Sequence, residues 1–436
     1  MTLAGLRGTW RVSDFVESRV AEIKAKAGSD KSVFVLVSGG VDSTVTYALL
    51  AKALPAERIL GLYVDTGMMR KDESVEVEAS LRAAGLPNLR CVDASKTFLD
   101  ALAGVVEPEA KRRVIGQQFL EVQRCECAKL GLDPEKWLLG QGTIYPDTIE
   151  SGGKAGKAAV IKTHHNRVPE IEALIERGLV LEPLAELYKD EVRAVGEKIG
   201  LAHHLVWRQP FPGPGLGVRL LCHGCDPESA QSVSQRAAAR AAIQLRHPTL
   251  SVDVPPLRSV GCQGDARTYR NFAVIGGYKR DWQQLDELAT QLVNEFADVN
   301  RVVISLARGA RSPPDDDAFQ LALSAGAPHT VTKRRLDLLR EADAIVSFEI
   351  EKAGLTAAIW QCPVVLAPLA REGAAPGEET VILRPVDSTE AMTASFSRVP
   401  WALCDIIATR IRAELPQICD VLYDITNKPP GTIEWE

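Results

Sequence analysis

Seven consecutive residues, Ser38-Gly39-Gly40-Val41-Asp42-Ser43-Thr44, carry the strongest chemical signal in the chain. They follow a short apolar run and lead into a helix-compatible stretch. The glycines permit a tight turn and close approach by a ligand, and backbone N–H groups at a helix start point at an anion. Ser38, Ser43 and Thr44 add hydroxyl donors. No lysine follows in the Gly-x-x-x-x-Gly-Lys-Ser/Thr pattern, so this is not the usual kinase or GTPase loop. Asp42 would repel a bare phosphate. A Mg2+ between its carboxylate and the phosphates accounts for it and makes Asp42 the candidate metal ligand. The plainer alternative is a glycine-rich turn capped by serine.

The surrounding pattern supplies the frame for such a loop. Trp10 to Lys26 reads as an amphipathic lead-in helix. Val33 to Val37 and Ile59 to Val64 are short apolar runs, the second ending at Asp65-Thr66-Gly67, and Arg90 to Val92 and Trp137 to Leu139 follow. Helical stretches separate them. Short apolar strands alternating with helices predict a parallel sheet covered on both faces. Ligands in such sheets sit at the carboxyl ends of the strands, where Ser38–Thr44, Asp65 and Gly142 of Gly140-Gln141-Gly142 all fall.

Ser151 to Lys157 is small, polar and loop-like, and Phe211 to Gly217 holds too many prolines and glycines for regular structure. A domain boundary is expected just after it, near Val218. The second half contains an echo. Ala289-Thr290 and Ala408-Thr409 each open the last part of a helix. Leu292, Phe296 and Val299 match Ile411, Leu415 and Ile418 in spacing, ahead of strands expected at Arg301–Leu306 and Asp420–Ile425. This reads as two related helix–strand modules separated by an insertion over about 312–370, whose Pro313 to Asp317 run is a solvated loop. Coincidence between two amphipathic helices is the alternative.

The 436 residues suffice for two or three domains, with 46% hydrophobic and 25% charged residues. The net charge of −6 argues against a dedicated nucleic-acid binder. No stretch approaches the roughly 20 apolar residues of a membrane span, and Met1 to Trp10 lacks signal-peptide features. Nine scattered cysteines do not form a disulfide framework, so a reduced, cytoplasmic protein is expected. Cys222-His223-Gly224-Cys225 has zinc-like local spacing, but no second pair follows at suitable distance.

The loop resembles the pyrophosphate-binding loop of the ATP pyrophosphatase superfamily, whose members adenylate an oxygen and let a nitrogen or sulfur nucleophile displace AMP. Further segments select one branch. Gly142 to Ser151, Ile161 to Asn166, Glu182-Pro183-Leu184, Lys189 to Arg193, Phe211 to Arg219 and the final Lys428 to Glu436 are similar, in the same order, to blocks of the GMP synthetases. The resemblance covers about Trp10 to Glu436. It implies a parallel-sheet α/β ATP pyrophosphatase domain (adenine nucleotide alpha hydrolase-like) over 1–218, with a lid at about 145–166. An α+β dimerisation domain with the internal duplication follows over 219–436. It also implies ATP-dependent amination of xanthosine monophosphate (XMP) to GMP, with Mg2+, in a homodimer.

Residue roles follow from that resemblance and from residue type. The loop Ser38–Thr44, Asp65 and Gly142 are expected to bind ATP. Asp147 and Glu150 lie three apart, so one helical turn puts both carboxylates on one face, to bind Mg2+ or orient the lid; helix caps are the alternative. Lys162 could offset charge on the α-phosphate. His164 and His165 point to opposite faces if extended, so at most one reaches the purine, where it could handle the proton of incoming ammonia. Lys189 and Asp190 enter as catalytic candidates by resemblance alone, a helix-surface pair being an equal reading. Arg112, Asp265, Gln361, Lys428 and Glu434 match family positions that contact XMP. Pro429-Pro430 and Trp435 indicate a docked rather than a loose tail.

Two departures stand out. The usual N-terminal glutaminase does not precede the synthetase here, which points to free ammonia or a separate glutaminase subunit. Thr66 also stands where Asn is expected. A relative adenylating another purine nucleotide, or using another nucleophile, is the alternative function; an idle nucleotide-binding protein or a tRNA-modifying enzyme fits the residues less well.

Overall fold

A computed structural model describes residues 10–133, 135–151, 174–224, 228–263, 266–307, 319–326, 329–371, 373–388 and 393–436. They divide into two compact units: one holds the chain up to Thr97 and Gly116–Gly213, the other Phe98–Ile115 and Pro214–Glu436. The sequence predicts a single boundary near Val218, with 98–115 in the first unit. The difference arises because Glu109, Lys111 and Arg112 spend their side chains on partners in the second unit, Glu109 on Arg267 and Lys111 with Arg112 on Glu436.

In the first unit, strands β1 (Ser32–Leu36), β2 (Ile59–Asp65), β3 (Leu89–Asp93), β4 (Trp137–Gly140) and β5 (Val180–Leu181) form one sheet in the order β3-β2-β1-β4-β5. All its pairings are parallel. Val33, Phe34 and Val35 of β1 are buried, as a central strand with helices on both faces requires. Helix α1 (Val12–Ala27) buries Val16, Ile23 and Ala27. Helix α2 (Val41–Ala53) is buried over most of its circumference, the mark of a helix inside a core rather than at its rim.

The second unit is built on a mixed sheet of seven strands. Their ranges are β6 (Ser251–Asp253), β7 (Arg258–Gln263), β8 (Ala266–Gly276), β9 (Val299–Ser305), β11 (Val364–Ala367), β13 (Glu379–Leu383) and β16 (Ile418–Asp424). The order is β11-β13-β16-β9-β8-β6, with β7 paired to β8. Short ribbons pair β10 (Leu321–Leu323) with β12 (Leu369–Arg371), and β14 (Val386–Asp387) with β15 (Ser395–Phe396).

The echo seen in sequence has a structural counterpart. β8 connects through the helix Trp282–Glu295 to parallel β9, and β13 through the helix Trp401–Glu414 to parallel β16, while β9 and β16 pair antiparallel. The first residues of the two helices, Trp282 and Trp401, stack with ring centroids 3.9 Å apart and planes 8° from parallel. The expected insertion is part of the core. Its helix Lys333–Lys352 buries Leu336, Leu339, Ala342, Val346 and Ile350, and β11 extends the main sheet. Pro313 to Asp317 lie outside the described residues.

Asp253 on β6 is buried, and its carboxylate accepts from the N–H groups of Leu321 (2.8 Å) and Val254 (2.9 Å). Burial outweighs those bonds and raises its pKa above the ordinary 3.8. The folded state therefore keeps a proton that the unfolded state has released, and stability falls as pH rises from about the ordinary value through the raised one. Replacing Asp253 by Asn is expected to remove that slope while adding a constant offset. Urea unfolding of both forms at pH 4 and pH 7 reads it; parallel pH dependences would rule it out.

Candidate nucleotide-binding site

The chain leaves β1 toward β2 on one side, and β4 lies on the other, so the carboxyl ends of β1 and β4 flank the point where strand order reverses. Crevices at such points are where open α/β sheets bind ligands. The loop Val37–Gly40 and the N-terminus of α2 emerge from β1, and Gln141-Gly142-Thr143 from β4.

The loop is held by its own hydroxyls. Ser43 Oγ accepts from the Ser38 N–H (3.1 Å), donates to the Gly40 carbonyl (3.0 Å) and lies 3.1 Å from Ser38 Oγ. The Gly40 N–H donates to Ser38 Oγ at 3.3 Å. No side chain caps α2, which leaves its first-turn donors facing the crevice for an anion. The serines thus shape the loop, and the plain capped turn does not describe it.

Gly142 must be glycine on packing grounds. A Cβ there would sit 2.9 Å from both Asp42 C and Ser43 N. These are backbone atoms at the start of α2, so the methyl could fit only by moving the loop. Gly142→Ala is expected to lower ATP turnover about tenfold to a hundredfold, the scale of a misplaced reacting group, with the unfolding transition retained. Steady-state kinetics and thermal melting of the same preparation check both halves.

Asp42 and Lys189 meet across 147 residues of sequence, with Nζ 2.5 Å from Oδ2. Lys189 opens the helix Lys189–Lys198, so the structure brings this candidate to the loop. Asp190, its neighbour, points to solvent and pairs with Arg193 at 3.4 Å, away from the loop. Asp42 Oδ1 and Thr44 Oγ1 are buried without hydrogen-bond partners. A carboxylate oxygen left over beside a helix N-terminus suits a hard cation such as Mg2+ shared with phosphates. No group of three or more His, Cys, Asp or Glu that could hold a metal occurs among the described residues.

Asp65 ends β2 and its Oδ1 accepts from the Gly67 N–H at 2.8 Å, fixing the turn. Asp147 lies in the helix Tyr145–Ser151, and its Oδ2 accepts from the Ile144 N–H at 3.1 Å, which is capping geometry. Glu150 belongs to the same helix, but its side chain lies outside what is described. Lys162, His164, His165 and Asp265 also lie outside the described residues, as does most of the expected lid.

In the second unit the tail is docked, as Pro429-Pro430 and Trp435 suggested. Trp435 is fully buried against Phe272 (5.0 Å, edge-on) and donates from Nε1 to Asp424 Oδ2 at 3.0 Å. Arg301 bonds the Glu434 carbonyl (3.0 Å), Thr432 Oγ1 (2.7 Å) and Asp424 (2.9 Å). Glu434 gives both carboxylate oxygens to fully buried Arg219, at 3.1 and 2.9 Å. Burial alone pulls the Arg219 pKa down, but Glu434 and Asp343 overcome it and the net shift is upward. Lys111, fully buried, binds Glu436 Oε2 and the carbonyls of Leu220 (2.7 Å) and Gly217 (3.2 Å). Arg112 binds the main-chain oxygen of Glu436. Burial raises the pKa of the Glu436 carboxyl, with Lys111 pulling it back. Gln361 is buried and bridges Val386 through its backbone; Lys428 bridges Ala394 in the same way. So Arg112 and Glu434 hold the tail, a duty that sequence reading did not give them. Cys222 Sγ lies 3.5 Å from Lys111 Nζ, His223 Nδ1 2.6 Å from the Gly224 carbonyl, and Cys225 lies outside the described residues.

Sequence reading missed Arg208 and Glu73 beside the loop, and Lys111 and Arg219 under the tail. The available signals were cations flanking the proline–glycine segment 210–217, Arg208 just before it and Arg219 just after.

Among known proteins, the family model described as GMP synthase C terminal domain matches residues 348–435. A probable glutamine-hydrolyzing GMP synthase of Leptospira interrogans is 43% identical over the full chain, which covers 69% of that protein. The glutamine-hydrolyzing GMP synthases of Streptomyces coelicolor and Dictyostelium discoideum are 38% and 33% identical over 99% of the chain, which covers 62% and 66% of them. The chain thus spans about two thirds of the length of these relatives. An NH3-dependent NAD synthetase from Campylobacter jejuni aligns structurally with 45% of the chain at 16% identity and a TM-score of 0.33.

Proposed function

The chain belongs to the GMP synthase family, and from that premise we propose that it aminates XMP to GMP with ATP, releasing AMP and pyrophosphate. The observation that carries the reading is the serine-braced loop at the switch point, with a buried Asp42 oxygen left unpartnered beside an uncapped helix start.

In this reading the first-turn N–H groups of α2, with the hydroxyl of Thr44, hold the β- and γ-phosphates, and Asp65 and Gly142 border the nucleotide. The O2 oxygen of XMP attacks the α-phosphorus, and the bond to the bridging oxygen breaks to release pyrophosphate. Ammonia then adds at C2 of the adenylated purine, the C2–O bond breaks, AMP departs, and a proton is lost to give GMP. Lys189 shares Asp42 with whatever charge the nucleotide brings. Mg2+, held by Asp42, would neutralise phosphate charge when bound. Asp147 sets the start of the helix leading to the lid, and Glu150 extends it. From the lid, Lys162 offsets charge on the α-phosphate and one of His164 or His165 takes up the ammonia proton. Asp190, next to Lys189, matches a family position but faces solvent beside Arg193. Arg112, Asp265, Gln361, Lys428 and Glu434 form the XMP side, supported by family position and, for Arg112 and Glu434, by their place at the docked tail.

We place the protein in the cytoplasm as a homodimer through its second unit, supplied with free ammonia or by a separate glutaminase. No helix among the described residues is long and apolar enough to cross a membrane.

The test is a product assay with ATP, Mg2+ and XMP, with ammonium or glutamine as the only nitrogen source. GMP formed with matching AMP and pyrophosphate from ammonium is expected. No XMP-dependent AMP or pyrophosphate under either condition would overturn the assignment and favour a relative that adenylates a different purine nucleotide.

A further inference from the structure

The Gly39–Gly40 peptide is gripped from both sides. Arg208 Nη1 donates to the Gly39 carbonyl at 3.2 Å, while the Gly40 N–H donates to Ser38 Oγ at 3.3 Å. In a planar trans peptide the C=O and N–H point in opposite directions, so fixing both fixes the plane. That plane immediately precedes α2, and its tilt sets where the helix's free N–H groups aim.

Arg208 is itself held. Its Nη2 pairs with Glu73 Oε1, and the other oxygen, Oε2, accepts the Arg70 N–H at 2.7 Å. Glu73 is buried (3% exposed) at the start of α3 (Glu73–Ala83). Arg208 remains partly open, with its side chain 23% exposed. The approach requires residue 39 to lack a side chain. Gly39 has φ +77°, and a Cβ there would lie 2.8 Å from Val77 Cγ2 and 3.2 Å from Arg208 Nη1. The guanidinium thus occupies space that only glycine leaves free.

We propose that Arg208 is a positioning residue for the nucleotide loop: anchored on Glu73, it sets the Gly39–Gly40 peptide and through it the phosphate donors of α2. This rests on the reading of the loop as the ATP site but not on XMP as the second substrate. A planar guanidinium reaches the carbonyl and the carboxylate from two separate nitrogens, Nη1 and Nη2, a span that the single nitrogen of a lysine ammonium does not reproduce.

The experiment measures ATP binding directly, by equilibrium titration without XMP, and then KM and kcat in the product assay. Wild type, Arg208→Ala, Arg208→Lys and Glu73→Gln are compared, with guanidinium added back to Arg208→Ala at non-denaturing concentration. Arg208→Ala is expected to weaken ATP binding about tenfold, the size of one lost charge-assisted hydrogen bond, and to leave KM for XMP within about twofold. Arg208→Lys should recover only part, Glu73→Gln should show a smaller loss in the same direction, and guanidinium should restore ATP affinity. ATP affinity unchanged in folded Arg208→Ala, or equal losses for ATP and XMP with no rescue, would overturn it. Wild type that binds ATP but forms no GMP would instead sink the XMP reading and leave this test intact.

Discussion

Asp42→Asn is expected to reduce XMP-dependent pyrophosphate release by about 10³-fold, the upper end of what one preorganised electrostatic group contributes. The two oxygens of this carboxylate are in different settings. Oδ2 holds Lys189 at 2.5 Å, and Oδ1 is buried without a partner at the helix start. The amide keeps the shape and removes the charge. Lys189 would then lose its counter-charge, and a Mg2+ held by Asp42 would lose that ligand. The stability cost should be small, because the Asp42 side chain is 25% exposed and the Lys189 side chain 37%, a setting in which ion pairs contribute at most about 1 kcal/mol. Pyrophosphate release measured across a Mg2+ titration, alongside a thermal melt, tests both points. Turnover within about threefold of wild type at every Mg2+ concentration would remove Asp42 from the site.

The largest stability effect is expected at Asp424, in the second unit. Its side chain is fully buried and pairs with two fully buried arginines, Arg301 at 2.9 Å and Arg384 at 3.3 Å. It also accepts from Trp435 Nε1 at 3.0 Å and from the Thr426 N–H at 2.9 Å. Burial already strains the cations: desolvation pulls the Arg301 pKa down to about 10, against the pull of Asp424. Asp424→Asn leaves both arginines without that counter-charge, and removing one member of a buried charged cluster costs about 3–5 kcal/mol. The surface pair Arg280–Asp405, at 2.6 Å with both side chains 40–44% exposed, provides the contrast. Asp405→Asn should cost no more than about 1 kcal/mol. Urea unfolding followed by tryptophan fluorescence compares them directly, and equal losses would mean the buried cluster has no special weight.

How far these sites could be read in advance depends on how local they are. The loop Ser38–Thr44 was legible because its donors are contiguous and its setting is periodic: an apolar strand, two glycines, a helix. Its supports were not. Lys189 reaches Asp42 across 147 residues and Arg208 reaches Gly39 across 169, and no period in the sequence links them. The same holds for Glu434, whose candidacy came from resemblance: its pairing with Arg219 spans 215 residues and no local pattern announces it.

The sequence by itself determined the strand–helix alternation, the glycine-rich loop, the docked tail and the two helix–strand modules, because each is written in neighbouring residues through hydrophobic period, glycine placement or residue type. Only the tertiary structure decided that 98–115 belongs to the second unit, that Lys333–Lys352 and Val364–Ala367 of the expected insertion supply core, and which buried cation meets which carboxylate. Those outcomes depend on desolvated charges finding partners far along the chain, and a buried arginine is identical in sequence to an exposed one until the fold removes the water around it.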